Sequence, residues 1–340
     1  MRDVCAIGVR RNEWQGIVAA AGVCKVIASE KRRARAHPLL GIAMRIRVTH
    51  ETVHRYEPPA SGVIQTLRVT PRNHAAQYVV DWRIDISADC RLEPQQDAFG
   101  NIVHAFSVSG PLSELRLLVE GEIETQDTAG VVKGAVERFP PSLFLRETAL
   151  TSADEAIVAY AAALPRQQAQ RTAGNGALAA LHQLLACVHA DIACDADMAD
   201  GPDAGGDSDR AGTAAEAFAR RRGTCRDLTH IFIATARALG VPARYVSGYL
   251  RHANGVTASP DENDTTHDAR HCWAEAHVPN LGWVGFDSAN GVCVTDHHVR
   301  VAIGLDQLGA APFRGAHYGG GAEAVAVKLV VAQAAWQTQG

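Results

Sequence analysis

From Met44 onward the chain alternates between apolar and polar residues. Met44, Ile46 and Val48 are apolar where Arg45, Arg47 and Thr49 are polar, and Val80, Trp82, Ile84 and Ile86 alternate with Asp81, Arg83, Asp85 and Ser87. Leu115, Leu117 and Val119 carry the same period on to Ile123. A period of two marks half-buried antiparallel strands, with one face in a core and the other in water. Asp97-Ala98-Phe99-Gly100-Asn101 reads as a turn before a further strand through His104, Phe106 and Val108. Residues 44–135 are therefore predicted to be an antiparallel, β-sandwich-like domain. After Pro140-Pro141 the period changes. Leu178, Leu181, Leu184, Leu185, Val188 and Ile192 form one stripe of a helix. The expected order is a helical connector over 136–170, a second domain over 171–333 that includes a C-terminal strand, and a tail over 334–340. The fold class is α+β.

Two segments break the pattern. Residues 1–43 carry eight basic residues against three acidic ones and are expected to be a disordered or mis-called N-terminal extension. Their apolar stretch from Gly16 to Cys24 is closed early by Lys25, with no small-x-small cleavage site, so it does not read as a leader. Residues 195–209 are rich in Asp and Gly. Asp195, Asp197 and Asp200-Gly201 miss the calcium-loop spacing, in which glycine stands sixth, so a mobile loop without metal is expected.

Composition narrows the function classes. The 340 residues are 47% hydrophobic and 21% charged, with a net charge of −4, which gives no electrostatic case for nucleic acid. No run of eighteen apolar residues points to a membrane span. The eight cysteines (5, 24, 90, 187, 194, 225, 272 and 293) contain no CxxC pair. They read as thiols of a reducing, cytoplasmic compartment rather than as a disulfide scaffold or a zinc site.

The chemistry concentrates after residue 222. Gly223-Thr224-Cys225-Arg226-Asp227-Leu228 opens a helix in which Leu228, Ile231, Phe232, Thr235 and Leu239 recur at helical spacing, and Gly240 and Pro242 end it. Cys225 thus falls in the first turn, where unpaired N–H groups and the positive dipole end favour a thiolate. Downstream, His271-Cys272-Trp273-Ala274-Glu275-Ala276-His277 and Leu281-Gly282-Trp283-Val284-Gly285-Phe286-Asp287 flank a Pro-Asn turn. A three-residue loop over Val278-Pro279-Asn280 sets His277 against Leu281 and His271 against Asp287, close enough for an imidazole–carboxylate hydrogen bond. Cys225, His271 and Asp287 together suit acyl transfer as nucleophile, base and orienting acid, with the first N–H groups of the Cys225 helix as oxyanion donors.

Neighbouring residues receive plainer readings. Glu275 and His277 share the face of His271 and are taken as groove-lining or structural. Trp273 and Trp283 are core residues or aromatic walls of a substrate cleft, to which Glu275 is also assigned. Asp227 complements the helix dipole, Cys272 packs inside, Arg244 is structural, and His297-His298 form a surface pair rather than a metal site.

Gly-x-Cys-x-Asp at 223–227, Ala243-Arg244-Tyr245-Val246-Ser247-Gly248-Tyr249, His271-x-Trp273 and Gly282-Trp283-x-x-Phe286-Asp287 resemble the bacterial transglutaminase-like superfamily. The closest resemblance is to its two-part members, in which a β-rich region precedes a papain-like cysteine enzyme core. The Asp97-x-Phe99-Gly100-Asn101 turn and the tail around Phe313-Arg314-Gly315 and Gly319-Gly320-Gly321 are similar too. Cys272 stands where the family usually has Ala, and Ser288 where Pro is common. The resemblance implies that Cys225 is the nucleophile, His271 the base and Asp287 the orienting acid, acting on a peptide or protein amide without a cofactor or metal. If water attacks the thioester, the protein is an amidase or cysteine peptidase. If an amine attacks, it is a protein–glutamine crosslinker. A non-catalytic peptide-binding module on the same fold is the third reading, and the presence of all three triad residues weighs against it.

Overall fold

The computed structural model describes residues 24–26, 43–164, 175–195, 212–251 and 270–334. The alternating segments form one seven-stranded antiparallel sheet. Its short edge strand is β1 (Cys24–Val26), followed by β2 (Met44–Thr70), β3 (Gln77–Ile86), β4 (Glu93–Gln96) and β5 (Ile102–Thr125). β2 and β5 pair from Met44↔Thr125 to Thr70↔Ile102, with irregularities between Arg55 and Gly62. The period-two pattern is obeyed except at Val80, which is exposed where the register shifts between Val79 and Asp81. Ile46, Val48, Leu115, Leu117, Val119 and Ile123 are all buried.

β1 pairs with β3, Cys24 facing Ile86. These three residues of the 1–43 segment therefore extend the sheet edge, contrary to the expectation of disorder for them. Residues 1–23 and 27–42 of that segment lie outside the described residues, as do 196–209 of the Asp- and Gly-rich stretch.

A two-residue strand, β6 (Val131–Val132), and a 3-10 turn at Pro141–Leu145 lead to α1 (Glu155–Ala163) and α2 (Asn175–Asp191). Leu181, Leu184, Leu185, Val188 and Ile192 bury the predicted stripe. After β7 (Ala193–Cys194) come α3 (Ala214–Arg220), β8 (Arg222–Gly223), α4 (Cys225–Ala238) and β9 (Ala243–Leu250). The second sheet is completed by β10 (Arg270–Val278), β11 (Gly282–Asp287), β12 (Val292–Cys293) and β13 (His298–Gly304). Its order is β12-β11-β10-β9-β13, with β6 on β11. α4 packs on β9 and β10, and α1, α2 and α3 surround its other sides.

The last elements return to the first sheet. After α5 (Gln307–Ala310), strands β14 (Phe313–Tyr318) and β15 (Ala322–Gln333) both pair with β2, from Phe313↔Leu67 and from Ala322↔Glu57 to Gln333↔Ile46. This corrects the expectation that the C-terminal strand belongs to the second domain. A strand as long as β2 leaves a row of backbone donors and acceptors on its open side, and the chain end satisfies them.

Side-chain amides join the two sheets. Asn101 donates to the Ile303 carbonyl at 2.8 Å and accepts from the Ile303 N–H at 2.8 Å. Gln77 does the same at Arg300, both contacts being 2.8 Å. Each amide imitates a missing strand along the outer edge of β13. Asn101 is held for this by Asp97, whose carboxylate accepts from the Phe99 and Asn101 N–H groups and from Asn101 Nδ2.

Candidate active site

The Gly-x-Cys-x-Asp motif has a local physical cause. Thr224 is the N-cap of α4, and a capping box closes between it and Asp227. Asp227 accepts from the Thr224 N–H at 2.9 Å, and Thr224 Oγ1 accepts from the Asp227 N–H at 3.4 Å. The Asp227 side chain thereby folds over residue 223, where a Cβ would stand 2.6 Å from that of Asp227. Only glycine fits there. Cys225 is left as the first helical residue, and the N–H groups of Cys225 and Arg226 lie too early to have an intrahelical carbonyl.

The hairpin that carries the other two residues departs from its expected register. His277 faces Trp283 and Val278 faces Gly282, so the loop is Pro279-Asn280-Leu281. Asn280 and Gly282 have φ of 66° and 92°, left-handed values that asparagine and glycine tolerate best, and this places the turn one residue later. The pairing moves by two positions. A shift of two keeps every side chain on its face, so His271 and Asp287 meet as diagonal neighbours rather than directly opposed ones. His271 Nε2 is 2.7 Å from Asp287 Oδ2.

Asp287 is wholly buried and receives further donors. The Asn290 N–H reaches Oδ1 at 3.1 Å and Asn290 Nδ2 reaches Oδ2 at 2.7 Å. His298 Nε2 lies 3.1 Å from the same Oδ2. The Thr295 N–H donates to His298 Nδ1 at 3.1 Å, so in neutral His298 the proton sits on Nε2 and points at the carboxylate. Burial opposes charge on Asp287, but its donors outweigh burial and hold it ionised far below the usual carboxylate range. Asn290 was missed in the sequence, although Asp287-Ser288-Ala289-Asn290 has the pattern of an Asp-initiated turn. His298 is buried, which corrects its reading as half of a surface pair.

His271, Asp287 and His298 offer three ligand atoms within 4.8 Å of one another. A cation there would have to displace the His298 proton and both histidine–carboxylate bonds.

On the other side of the imidazole stands Cys225, close enough that each group shifts the titration of the other. With Nε2 committed to Asp287, Nδ1 is the nitrogen available to the thiol. Cys272 Sγ also donates to Cys225 Sγ, at 3.3 Å. The Cys272 hydrogen bond and the His271 imidazole outweigh burial and lower Cys225 well below an ordinary thiol. Burial disfavours charge on His271, yet Asp287 and Cys225 raise it to about 10. Both directions favour a thiolate beside an imidazolium.

The three residues assigned to a cleft are elsewhere. Trp273 is 1% exposed, Glu275 0% and Trp283 5%. Glu275 is paired with Arg244 at 2.7 Å and Arg300 at 2.6 Å. Trp283 lies 3.8 Å beneath the Arg244 guanidinium, against Phe144. Trp273 meets the His298 ring edge-on. Their face of β10 is covered by the connector, with Glu137 bidentate on Arg244, and by the first sheet, so no open wall remains. Arg244 is structural, as expected from the sequence.

Residues 46–124 match the bacterial transglutaminase-like N-terminal region, and residues 166–288 match the transglutaminase-like superfamily core. Together the two matches span more than half of the chain. An uncharacterized protein of Mycobacterium leprae is 26% identical over 288 residues, covering 82% of this chain and 95% of its own. One from Mycobacterium tuberculosis is 27% identical over 304 residues, covering 83% and 90%. The structure of a candidate cysteine protease from Cytophaga hutchinsonii shares the fold with a TM-score of 0.63 at 15% identity, covering 88% of this chain and 93% of that one. Both matched regions, in this order, have the architecture described above, and the chain belongs to the transglutaminase-like superfamily.

Proposed function

We propose that the protein is a thiol enzyme that cleaves amide bonds through Cys225, His271 and Asp287, an amidase or cysteine peptidase acting by way of a thioester. The observation that carries this reading is the junction of a lowered Cys225 thiol with an imidazole held at 2.7 Å by a buried carboxylate. The Cys225 thiolate attacks the amide carbonyl, and the Cys225 and Arg226 N–H groups face the developing oxyanion. His271 gives its proton to the leaving amine, then takes one from the incoming water as the thioester is resolved. Asp287 keeps the ring oriented and the imidazolium stable throughout. None of these steps calls for a cofactor.

Among the described residues no helix is long and apolar enough to cross a membrane.

The test is mass spectrometry of a mixed peptide library incubated with the protein, with and without a primary amine. Cleaved or deamidated peptides are expected in both arms. Amine adducts in place of hydrolysis would assign the protein as a crosslinker, and an unchanged library with no acyl-enzyme at Cys225 would overturn the catalytic reading.

A further inference from the structure

The mechanism above uses one of the two sulfurs at the end of α4. Cys272 pairs with Ser247 of β9, is buried, and points its Sγ at Cys225 Sγ from 3.3 Å. Thr229 Oγ1 stands 3.7 Å from the same sulfur, and the Tyr245 hydroxyl also bonds to it. We propose that Cys225 and Cys272 are a peroxide-responsive pair that closes to a reversible disulfide, with Cys225 the attacked thiol and Cys272 the resolving one. The bond itself rests only on the placement of the two sulfurs. Its consequence, that closure silences the enzyme, rests on the acyl-transfer reading.

The chemistry balances with a hydroperoxide as oxidant. The Cys225 thiolate attacks one peroxide oxygen, an S–O bond forms and the O–O bond breaks. The other oxygen leaves and takes a proton, as water or an alcohol, and the sulfur has given up two electrons. The Cys272 sulfur then attacks the Cys225 sulfur. The S–S bond forms, the S–O bond breaks, and the hydroxyl departs as water with the Cys272 proton. Two thiols and one hydroperoxide yield one disulfide, one alcohol or water, and one further water. An external dithiol reverses the step by exchange.

The placement assigns the roles. Cys225 is half-buried at a helix end, whereas Cys272 is enclosed on a central strand. Cys225 carries the thiolate, and burial keeps Cys272 protonated until a sulfenic acid forms beside it. Closure needs the sulfurs to approach by roughly 1.2 Å, to a bond of about 2.05 Å. Rotation of the Cys225 side chain in the first helical turn can supply that movement, because Cys272 is held by pairing on β9.

The test treats the full chain with one equivalent of hydrogen peroxide and follows intact mass, then maps peptides without reduction. Trypsin releases 223–226 with Cys225, but 271–300 with both Cys272 and Cys293, so a second cleavage before Asp287 is required to separate them. The expected result is the loss of two hydrogens and a link between Cys225 and the Cys272 fragment, reversed by dithiothreitol. In Cys272→Ala an excess of peroxide, which supplies the two equivalents that a sulfinic acid consumes, should drive Cys225 through sulfenic to sulfinic acid, and dithiothreitol should then recover about tenfold less alkylatable Cys225 than in wild type given the same excess. Sulfinic acid at Cys225 in the wild-type chain with Cys272 still free, or a link to Cys293 instead, would overturn the proposal. The link is read by mass, so it is established or lost independently of whether the peptide library shows turnover.

Discussion

Strand β10 carries two charged constellations only four residues apart, and they have opposite characters. At residue 271 an imidazole is held by one buried carboxylate while its other side meets a half-buried sulfur. At residue 275 a carboxylate is enclosed by Arg244 and Arg300, and Arg244 is further clamped by Glu137. Both sit on the same face of the same strand. The first has a half-buried member, the lowered Cys225 thiol at the helix end. The second has no exposed member on the strand and every charge answered. A perturbed pKa marks both, so it cannot separate chemistry from scaffolding. Access to a nucleophile does.

The largest effect that would test this contrast is at the sulfur. Cys225→Ala should abolish the acyl-enzyme outright, whereas Cys272→Ala should still form it, as followed by intact mass with a thioester-forming peptide. In the wild type, iodoacetamide should alkylate Cys225 with a midpoint well below the ordinary thiol value of about 8.5. Alkylation that follows an ordinary thiol curve would remove the thiolate–imidazolium pair.

At the enclosed constellation, Glu275→Ala should cost about 3–5 kcal/mol, because it strands buried guanidinium charge. Urea unfolding measures the loss. The variant should still label at Cys225 under native conditions. A collapse of turnover with unchanged stability would instead move Glu275 into the site and dissolve the contrast.

Asp287→Asn should keep the fold and lower kcat by roughly 10²–10³-fold, the usual scale for general acid–base catalysis. An amide can occupy the same volume but stabilises an imidazolium poorly and permits the wrong tautomer. Unchanged turnover in steady-state kinetics would deny Asp287 its role.

The smallest effect is in the pH dependence of stability, where His271 has the opposite sign to Glu275, and Asp287, depressed like Glu275, adds to the acid limb. Burial opposes charge on Glu275, but Arg300 and Arg244 depress it to about 2. Its contribution is therefore full above the ordinary value of about 4.3 and is lost as pH falls toward 2. Burial likewise depresses His50 and His230 to about 3, so their contribution declines as pH falls below about 6.5. His271 is raised to about 10, and its contribution is present below about 6.5 and lost toward 10. Thermal unfolding against pH should show an acid decline in wild type that is shallower below about pH 4.3 in Glu275→Gln. An identical acid limb in that variant would show that the ion-pair network does not set it.

The chain by itself determined whatever depends on neighbours in sequence. The alternation from Met44, the stripe on α2 and the Thr224 cap follow from local periodicity and capping, and they emerge where the residues place them. The grouping of Cys225, His271 and Asp287 was legible because one hairpin and one helix start carry it, and a two-residue change in register preserves the face. Tertiary structure alone decided what depends on coverage and on distant edges. Nothing near residue 275 in sequence tells that Arg244, Arg300 and Glu137 would seal it from a cleft. The seating of His298 on Asp287, the approach of Cys272 to Cys225, and the return of β14 and β15 to β2 are of the same kind. Each pairs groups brought together by the packing of separate elements, and periodicity reports which face a side chain occupies, not what will come to lie against it.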